Sequence, residues 1–442
     1  MAYRLARNAV VLVLLLAAVP LAAETTVTLL HFSDYHSHAL PFYSDDGMAG
    51  GIARAVGWLS REKRRGALVF SGGDTINKGS PAWSDKYGCA EWPWWNGIVD
   101  AMAFGNHDAD YGRAAFEQCA RAVRYPILSA NTAGLRRHAV FEANGMRIGV
   151  FALAGSDFPS LVKAEGFSFG DPVAAAREAV RELRETERVN AVVMIGHEHA
   201  EADYELARAV PGIDLIFGSH SHLKRDLTRI DGTRTWYLSP WQYLGFISRV
   251  ELSFENGRVT RVRGALVPVD ARLPEDRAIA RRVRRMQAAL ERDPQYRELF
   301  TPIARLDAPV SVDALARRTL DAMRAAARAD VALSTTSSFR QPLPAGPLNL
   351  ELLRAALPYD NEIVVCEMTG AQLQRVLDFN RARAGTDSES YIAGADSIDP
   401  ARTYRVAAAD YLANVAYREV FTCDKQKTGL RVREEVRKAV TR

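Results

Sequence analysis

Long hydrophobic runs are missing from this sequence. Beyond an apolar stretch at residues 9–19 no segment has the length of a membrane span, which excludes a multi-span membrane protein. Net charge is also small: the formal value is +4, of which Arg4 and Arg7 supply two. That balance excludes a protein that holds nucleic acid through a basic surface. Internal repeats and low-complexity tracts are absent. What is present is ordinary, with 48% hydrophobic and 25% charged residues, the composition of a folded rather than a disordered chain. At about 150 residues per domain, 442 residues allow two or three domains and a sizeable core.

Residues 1–23 are expected to be a secretory signal peptide. Arg4 and Arg7 precede the apolar residues 9–19, and Pro20, Leu21, Ala22 and Ala23 follow, the order of charged region, apolar core and small-residue cleavage site. As a helix that core is about 17 Å long, against about 30 Å of bilayer hydrocarbon. No cysteine follows it for lipid attachment. The mature chain is therefore expected to be secreted without a membrane anchor, and periplasmic if the source is a Gram-negative bacterium. Only four cysteines occur, Cys89 and Cys119 in the first half and Cys366 and Cys423 in the second. An even number suits an oxidising compartment, and one disulfide per half is the simplest pairing.

Short β-rich apolar runs at residues 27–32, 67–70, 101–104, 148–153, 191–195 and 213–217 read as buried strands. Asp171-Pro172 opens a helical run to residue 188, with Asp as N-cap and Pro where a missing N–H costs nothing. Helices thus alternate with strands. Glu255-Asn256-Gly257-Arg258 marks a hairpin that closes the first half. Residues 274–296 read as a charged, solvated linker helix, its Arg281–Arg285 run facing water. The second half carries helical patterns at 312–328, 350–357 and from the capping box Thr369–Gln372 through Phe379, with strands at 331–334, 362–368 and 404–408.

Each of the first-half strands that matter for chemistry ends in a polar cluster. In order these are Asp34-Tyr35-His36, Gly72-Gly73-Asp74, Gly105-Asn106-His107-Asp108, Gly196-His197 and Gly218-Ser219-His220-Ser221-His222. Carboxylate and amide oxygens mixed with imidazoles suit divalent Mn, Fe, Co, Ni or Zn. Seven ligand candidates, Asp34, His36, Asp74, Asn106, His197, His220 and His222, are too many for one ion. Two ions sharing a bridging carboxylate is the economical arrangement. His38 and His199 read as supporting or surface residues, and His31 and His138 have no motif partner. Trp83, Trp92, Trp94 and Trp95 crowd one region beside Cys89 and read as a packed cluster.

These clusters resemble the calcineurin-like metallophosphoesterases. The wording "LLHFSDYHSHALP", "GGDTINKGS", "FGNHDADYG" and "DLIFGSHSH" is similar to the 5'-nucleotidase branch, and "STTSSFRQPL" and "LPYDNEIVVCEMTGAQLQRVL" are similar to its C-terminal substrate-binding domain. The resemblance implies an α/β protein: a metallophosphoesterase β-sandwich flanked by helices over residues 24–272, a linker helix over 273–300, and a smaller α+β C-terminal domain over 301–442. It implies one ion held by Asp34, His36 and His222, the other by Asn106, His197 and His220, and Asp74 between them. It pairs His107 with Asp110 to stabilise or protonate at the scissile phosphate while water activated by the metals attacks phosphorus.

The same resemblance gives Arg340 to the phosphate and Tyr359 and Tyr411 to the two faces of a base. It also exposes departures. Ser337-Ser338 stand where the family has a glycine pair, Thr335 where it has asparagine, and Val415-Ala416-Tyr417 where it has Gly-Gly-Asp. The lost Asp and Asn would have held ribose hydroxyls. A small-molecule phosphoester, most simply a nucleoside 5'-monophosphate, is the expected substrate. A relative acting on a cyclic nucleotide, a sugar nucleotide or a sulfur ester is the alternative, and the intact ligand set with His107 and Asp110 argues against a non-catalytic binding protein.

Overall fold

The computed structural model describes residues 24–440 apart from Lys163 and Asp387, so the expected signal peptide lies outside the described residues. Two six-stranded sheets make up the first half. One has the order Arg258–Pro268, Phe246–Glu255, Thr25–Phe32, Leu68–Ser71, Ala101–Ala103, Ile127–Leu128. The other has the order Lys224–Arg229, Trp236–Pro240, Leu215–Phe217, Ala191–Met194, Met146–Phe151, His138–Ala143. Four neighbouring strands of each run parallel, from Thr25–Phe32 to the edge strand Ile127–Leu128 in the first and from Trp236–Pro240 to Met146–Phe151 in the second.

The two sheets pack face to face. Val27, Leu29 and Phe70 of the first meet Ile148, Val193 and Phe217 of the second in one buried cluster. Leu30 and Phe32, the alternate residues of the same strand, face the other way and pack with Ile52, Val56 and Leu59 of the Ile52–Lys63 helix. On the far side Val192 and Met194 pack with Ala176, Ala179 and Leu206 from the Pro172–Arg181 and Ala200–Ala209 helices. Because both faces of each sheet are covered, the parallel strands are continuous apolar runs, which is how they read in sequence.

Local signals explain the joints. Asp171 caps its helix by accepting from Ala174 N, and the helix continues past Arg181 as a wider turn over Glu182–Thr186. In the hairpin Glu255 pairs with Arg258, and Asn256 and Gly257 take φ of 50° and 74°, the positive values a two-residue turn of this kind needs. The expected linker helix is Arg277–Arg292, capped by Asp276. It is not solvated all round: Val283 and Leu290 join the first-half core, while Arg281, Arg282, Arg284 and Arg285 face water. Lys86 pairs with Asp293, and Tyr87 donates to Met286 O at 2.6 Å.

The second half is α+β. Its sheet has the order Ser390–Ala393, Val331–Thr335, Thr403–Ala409, Glu362–Thr369, Gln426–Arg431. Leu320 and Met323 of the Val312–Ala327 helix cover one face, and Leu373 and Val376 of the Gly370–Arg381 helix cover the other. The Thr369–Gln372 capping box is formed in both directions. Disulfides join Cys89 to Cys119 and Cys366 to Cys423 with Cα separations of 5.8 and 6.0 Å, one within each half. The four tryptophans around the first bridge are all buried in the core beside it. Among the described residues no helix is long and apolar enough to cross a membrane.

Candidate active site

All seven ligand candidates sit on turns that leave the carboxyl ends of parallel strands. Asp34 and His36 follow Thr25–Phe32, Asp74 follows Leu68–Ser71, and Asn106 follows Ala101–Ala103. From the second sheet His197 follows Ala191–Met194, and His220 and His222 follow Leu215–Phe217. The crevice beyond strand carboxyl ends is where such folds gather ligands. Asp34, His36, Asp74, His220 and His222 have φ of 51°, 49°, 50°, 60° and 54°. Non-glycine residues in this region cost of order 1–3 kcal/mol each, and they persist here because neighbouring loops hold them. Asp34 N donates to Gly73 O at 3.1 Å and His36 N to Asp74 O at 2.9 Å. A Cβ on Gly105 would come within 2.3 Å of Asp74 N, so only glycine lets these two turns touch.

The side chains form two groups. In one, His222 Nε2 lies 3.0 Å from Asp34 Oδ1 and 3.1 Å from His36 Nε2. In the other, His197 Nε2 lies 3.1 Å from Asp74 Oδ2, with His220 in the same cluster. Asp74 Oδ2 is also 3.7 Å from His36 Nε2, which puts this carboxylate between the groups. Bonds of about 2.0–2.2 Å to a divalent ion set neighbouring donor atoms about 3–4 Å apart, the spacing seen. Two further observations fit cations. Asn106 Oδ1 is buried without a hydrogen-bond partner, a loss of about 1–3 kcal/mol that a cation removes. His36 Nδ1 and His197 Nδ1 lie 3.2 and 2.7 Å from the carbonyls of Ile76 and Gly72, which fixes each ring with Nε2 inward.

Burial pushes His36 down to about 3, so it is neutral and ready to ligate. His197 behaves oppositely. Burial opposes its charge, but the Asp74 carboxylate outweighs burial and lifts it to about 9. A cation at His197 Nε2 must displace that proton, so apparent Mn²⁺ affinity is expected to rise about tenfold per pH unit between about pH 6 and 8. Calorimetry in buffers of differing ionisation enthalpy reads the proton released; an affinity independent of pH would contradict the assignment.

His107 stands beside these groups. Its Nδ1 is 2.8 Å from Asp110 Oδ2, and its backbone N donates to Asp74 Oδ1 at 2.8 Å. Burial works against its positive form, yet the charge of Asp74 and the hydrogen bond and charge of Asp110 carry it up to about 10.

The loops from both halves enclose a cleft of 410 Å³. Asp74, Asn106, His107, Asp110, His220 and His222 line one wall. From the second half Arg340, Tyr359 and Tyr411 line the other. Arg340 donates to the Tyr359 hydroxyl at 3.0 Å and to Gln242 Oε1 at 3.3 Å, and Gln242 Nε2 returns a bond to Arg340 O at 2.8 Å. Tyr359 and Tyr411 are 37% and 38% exposed, and the Arg340 guanidinium lies over the Tyr359 ring, 5.5 Å from its centroid. Thr335, Ser337, Ser338, Val415 and Ala416 also line it, whereas Tyr417 is turned into the domain core, its hydroxyl on Asn380 and Ser388 O. Among the described residues the second-half wall carries no carboxylate.

Three residues were not singled out by the sequence. Asp108 is buried and takes N–H bonds from Gly105, Asp74 and Thr75, tying the ligand turns together. Gln242 holds Arg340, and Asp157 lies against His199 and His220. Asp108 had a signal, since it sits inside the Asn106–Asp110 motif; a lone Gln or Asp on a loop has none. His38 stacks on Tyr243 at 3.5 Å behind the ligands, and burial lowers it to about 4. His31 stacks on Phe217 in the core, and His138 lies 3.5 Å from Glu182 on an edge strand.

Calcineurin-like phosphoesterases match residues 27–224, and the 5'-nucleotidase C-terminal domain matches residues 307–395. The chain joins a calcineurin-like phosphoesterase domain to a 5'-nucleotidase C-terminal domain. It is accordingly a metal-dependent phosphoester hydrolase. Protein UshA of Escherichia coli K12 is 26% identical over 499 residues, covering 90% of this chain and 89% of that protein. The 5'-nucleotidase of Vibrio cholerae is 25% identical over 424 residues, covering 80% and 74%. Two solved structures share its fold. The 5'-nucleotidase precursor from Thermus thermophilus superposes with a TM-score of 0.73 at 21% identity, covering 94% and 96% of the two chains. The sulfate thiohydrolase SoxB from Thermus thermophilus, in complex with glycerol, gives 0.74 at 22%, covering 94% of each. At these identities the two structures bear on the fold.

Proposed function

We propose that this chain hydrolyses nucleoside 5'-monophosphates or related nucleotides to nucleoside and phosphate. Two divalent ions, of Zn, Mn, Co, Fe or Ni, are held by Asp34, His36 and His222 and by Asn106, His197 and His220, with Asp74 serving both. The observation that carries this reading is one cleft that brings the two donor groups opposite Arg340 and two exposed tyrosines. Bound divalent ions supply Lewis acidity toward phosphoryl oxygens and make water a stronger acid. His107, oriented and kept charged by Asp110, donates to the phosphoryl or leaving oxygen. Arg340 neutralises phosphate from the other wall, and Tyr359 and Tyr411 stack on the base. Two disulfides suit the exported location read from the N-terminus.

The second reading, a relative acting on a cyclic nucleotide, a sugar nucleotide or a sulfur ester, is favoured by one observation: Tyr417, standing where the family places an aspartate, is turned into the domain core with its hydroxyl on Asn380 and Ser388 O. A panel of nucleoside monophosphates, cyclic nucleotides, sugar nucleotides, an aryl phosphate and thiosulfate conjugates, assayed with metal-loaded protein, separates the two. On the first reading AMP and dAMP are both cleaved, with kcat/KM within about tenfold, because rejecting a missing hydroxyl needs a buried partner left unpaired. Tyr411→Ala raises KM for AMP about 5- to 150-fold, the equivalent of a stacking contact worth about 1–3 kcal/mol, and changes the aryl phosphate little. Poor turnover of both nucleotides, with no effect of Tyr411→Ala, would hand the cleft to the second reading.

A further inference from the structure

Asp157 has no role in the ligand pattern or in the resemblance, yet it touches the site. Its Oδ2 lies 3.2 Å from His220 Nε2 and 3.1 Å from His199 Nε2. The two rings are 4.4 Å apart at 67°, so one carboxylate oxygen sits where both can donate to it. Its other oxygen, Oδ1, is buried without a hydrogen-bond partner. The loop carrying Asp157 is itself pinned to the His197 turn, because buried Glu198 accepts from Ser156 N at 2.7 Å and from His199 N at 2.8 Å.

We propose that Asp157 is a positioning residue for His220, and that His199 holds Asp157 in place. With its Nε2–H given to Asp157, His220 has Nδ1 left as the lone pair for the Asp74–His197 group with which it clusters. A carboxylate behind a ligating imidazole fixes its tautomer and rotation and makes it a better donor, and losing such a partner lowers metal affinity about 10- to 100-fold. Asp157 thus acts on one of the two donor groups. The Asp34–His36–His222 group has no contact with it among the described hydrogen bonds and ion pairs. The inference rests on His220 being a metal ligand. It competes with a different use of the same atoms, since Asp157, His199 and His220 also lie close enough together to hold an ion of their own.

The test is chelator competition with Mn²⁺ on full-length protein, combined with metal analysis and thermal melting. Asp157→Ala is expected to weaken one of two bound ions about 10- to 100-fold and to leave the other unchanged. Excess Mn²⁺ then restores turnover. Asp157→Asn, which keeps the volume and an acceptor oxygen, falls between, and it carries the test if the alanine variant is unstable. His199→Ala has a smaller effect of the same kind. Equal loss at both ions with a lowered Tm would mean a general structural role and would overturn the inference, as would wild-type affinities in both Asp157 variants. A third equivalent in wild type that Asp157→Ala and His199→Ala remove would overturn it in favour of a separate ion. His220→Ala distinguishes the underlying assignment: it must lose the ion that Asp157→Ala weakens, and retention of both ions there overturns the ligand assignment itself.

Discussion

His107→Ala is expected to release phosphate from AMP about 10²- to 10⁴-fold more slowly than wild type while keeping its full metal content. The prediction separates His107 from the ligands beside it. Its Nδ1 is committed to Asp110 at 2.8 Å, so the ring turns its other nitrogen away from that carboxylate. It lines the cleft together with Arg340 and Tyr359. A charged imidazole at that place stabilises an oxygen that gains charge as the ester bond breaks, and alanine offers nothing in exchange. Asp110→Asn should retain more activity, because the ring remains while its orientation and charge are weakened. Single-turnover rates with metal analysis of the same sample check this. Activity of His107→Ala within a few-fold of wild type would remove the pair from the chemistry.

Asp74→Ala is expected to lose at least about 10³-fold in turnover, which is several kcal/mol of charge stabilisation at about 1.4 kcal/mol per decade. Like Asp34, whose Oδ1 lies 3.0 Å from His222 Nε2 and 3.9 Å from His197 Nε2, Asp74 reaches both donor groups. One oxygen lies 3.1 Å from His197 Nε2 and 3.7 Å from His36 Nε2, and the other accepts the His107 backbone N–H. Its charge is also what lifts His197 to about 9 and contributes to His107 at about 10. On the proposed assignment alanine there removes a ligand from each group, and it removes the anchor of the His107 turn as well. On the same proposed assignment Asn106→Ala touches one group only, and its loss should be reversed by added metal.

That the seven ligand candidates come together was legible because metal chemistry restricts residue type and because parallel strands deliver their carboxyl ends to one edge. Asp34, Asp74, Asn106, His197 and His220 each follow an apolar run that is easily read as a buried strand. The Asn256-Gly257 turn and the Thr369–Gln372 box were legible for a similar reason, since each is a local device that needs no distant partner. The Lys224–Arg229 strand was not. It is a charged edge strand with mostly exposed side chains, held by backbone pairing to Trp236–Pro240, so no hydrophobic pattern announces it.

Which residues line the second-half wall was less legible than the clustering of the ligand candidates, for a physical reason. Whether a loop residue faces a cleft depends on packing from elsewhere. Tyr417 stands where the family places an aspartate, but its ring is packed against Phe379 at 5.0 Å and its hydroxyl is satisfied inside the domain. Arg340 reaches the cleft in its observed pose because Gln242, from the other half of the chain, binds both its backbone and its guanidinium. Asp157 is the same case, a single carboxylate whose meaning comes from two histidines 42 and 63 positions away.

Metal analysis of wild type and Asp74→Ala after dialysis against Mn²⁺ at matched protein concentration tests the central claim most directly. The account predicts about two equivalents in wild type and less than one in Asp74→Ala, because both donor groups lose a member when this carboxylate is removed. About two equivalents retained in Asp74→Ala would contradict it.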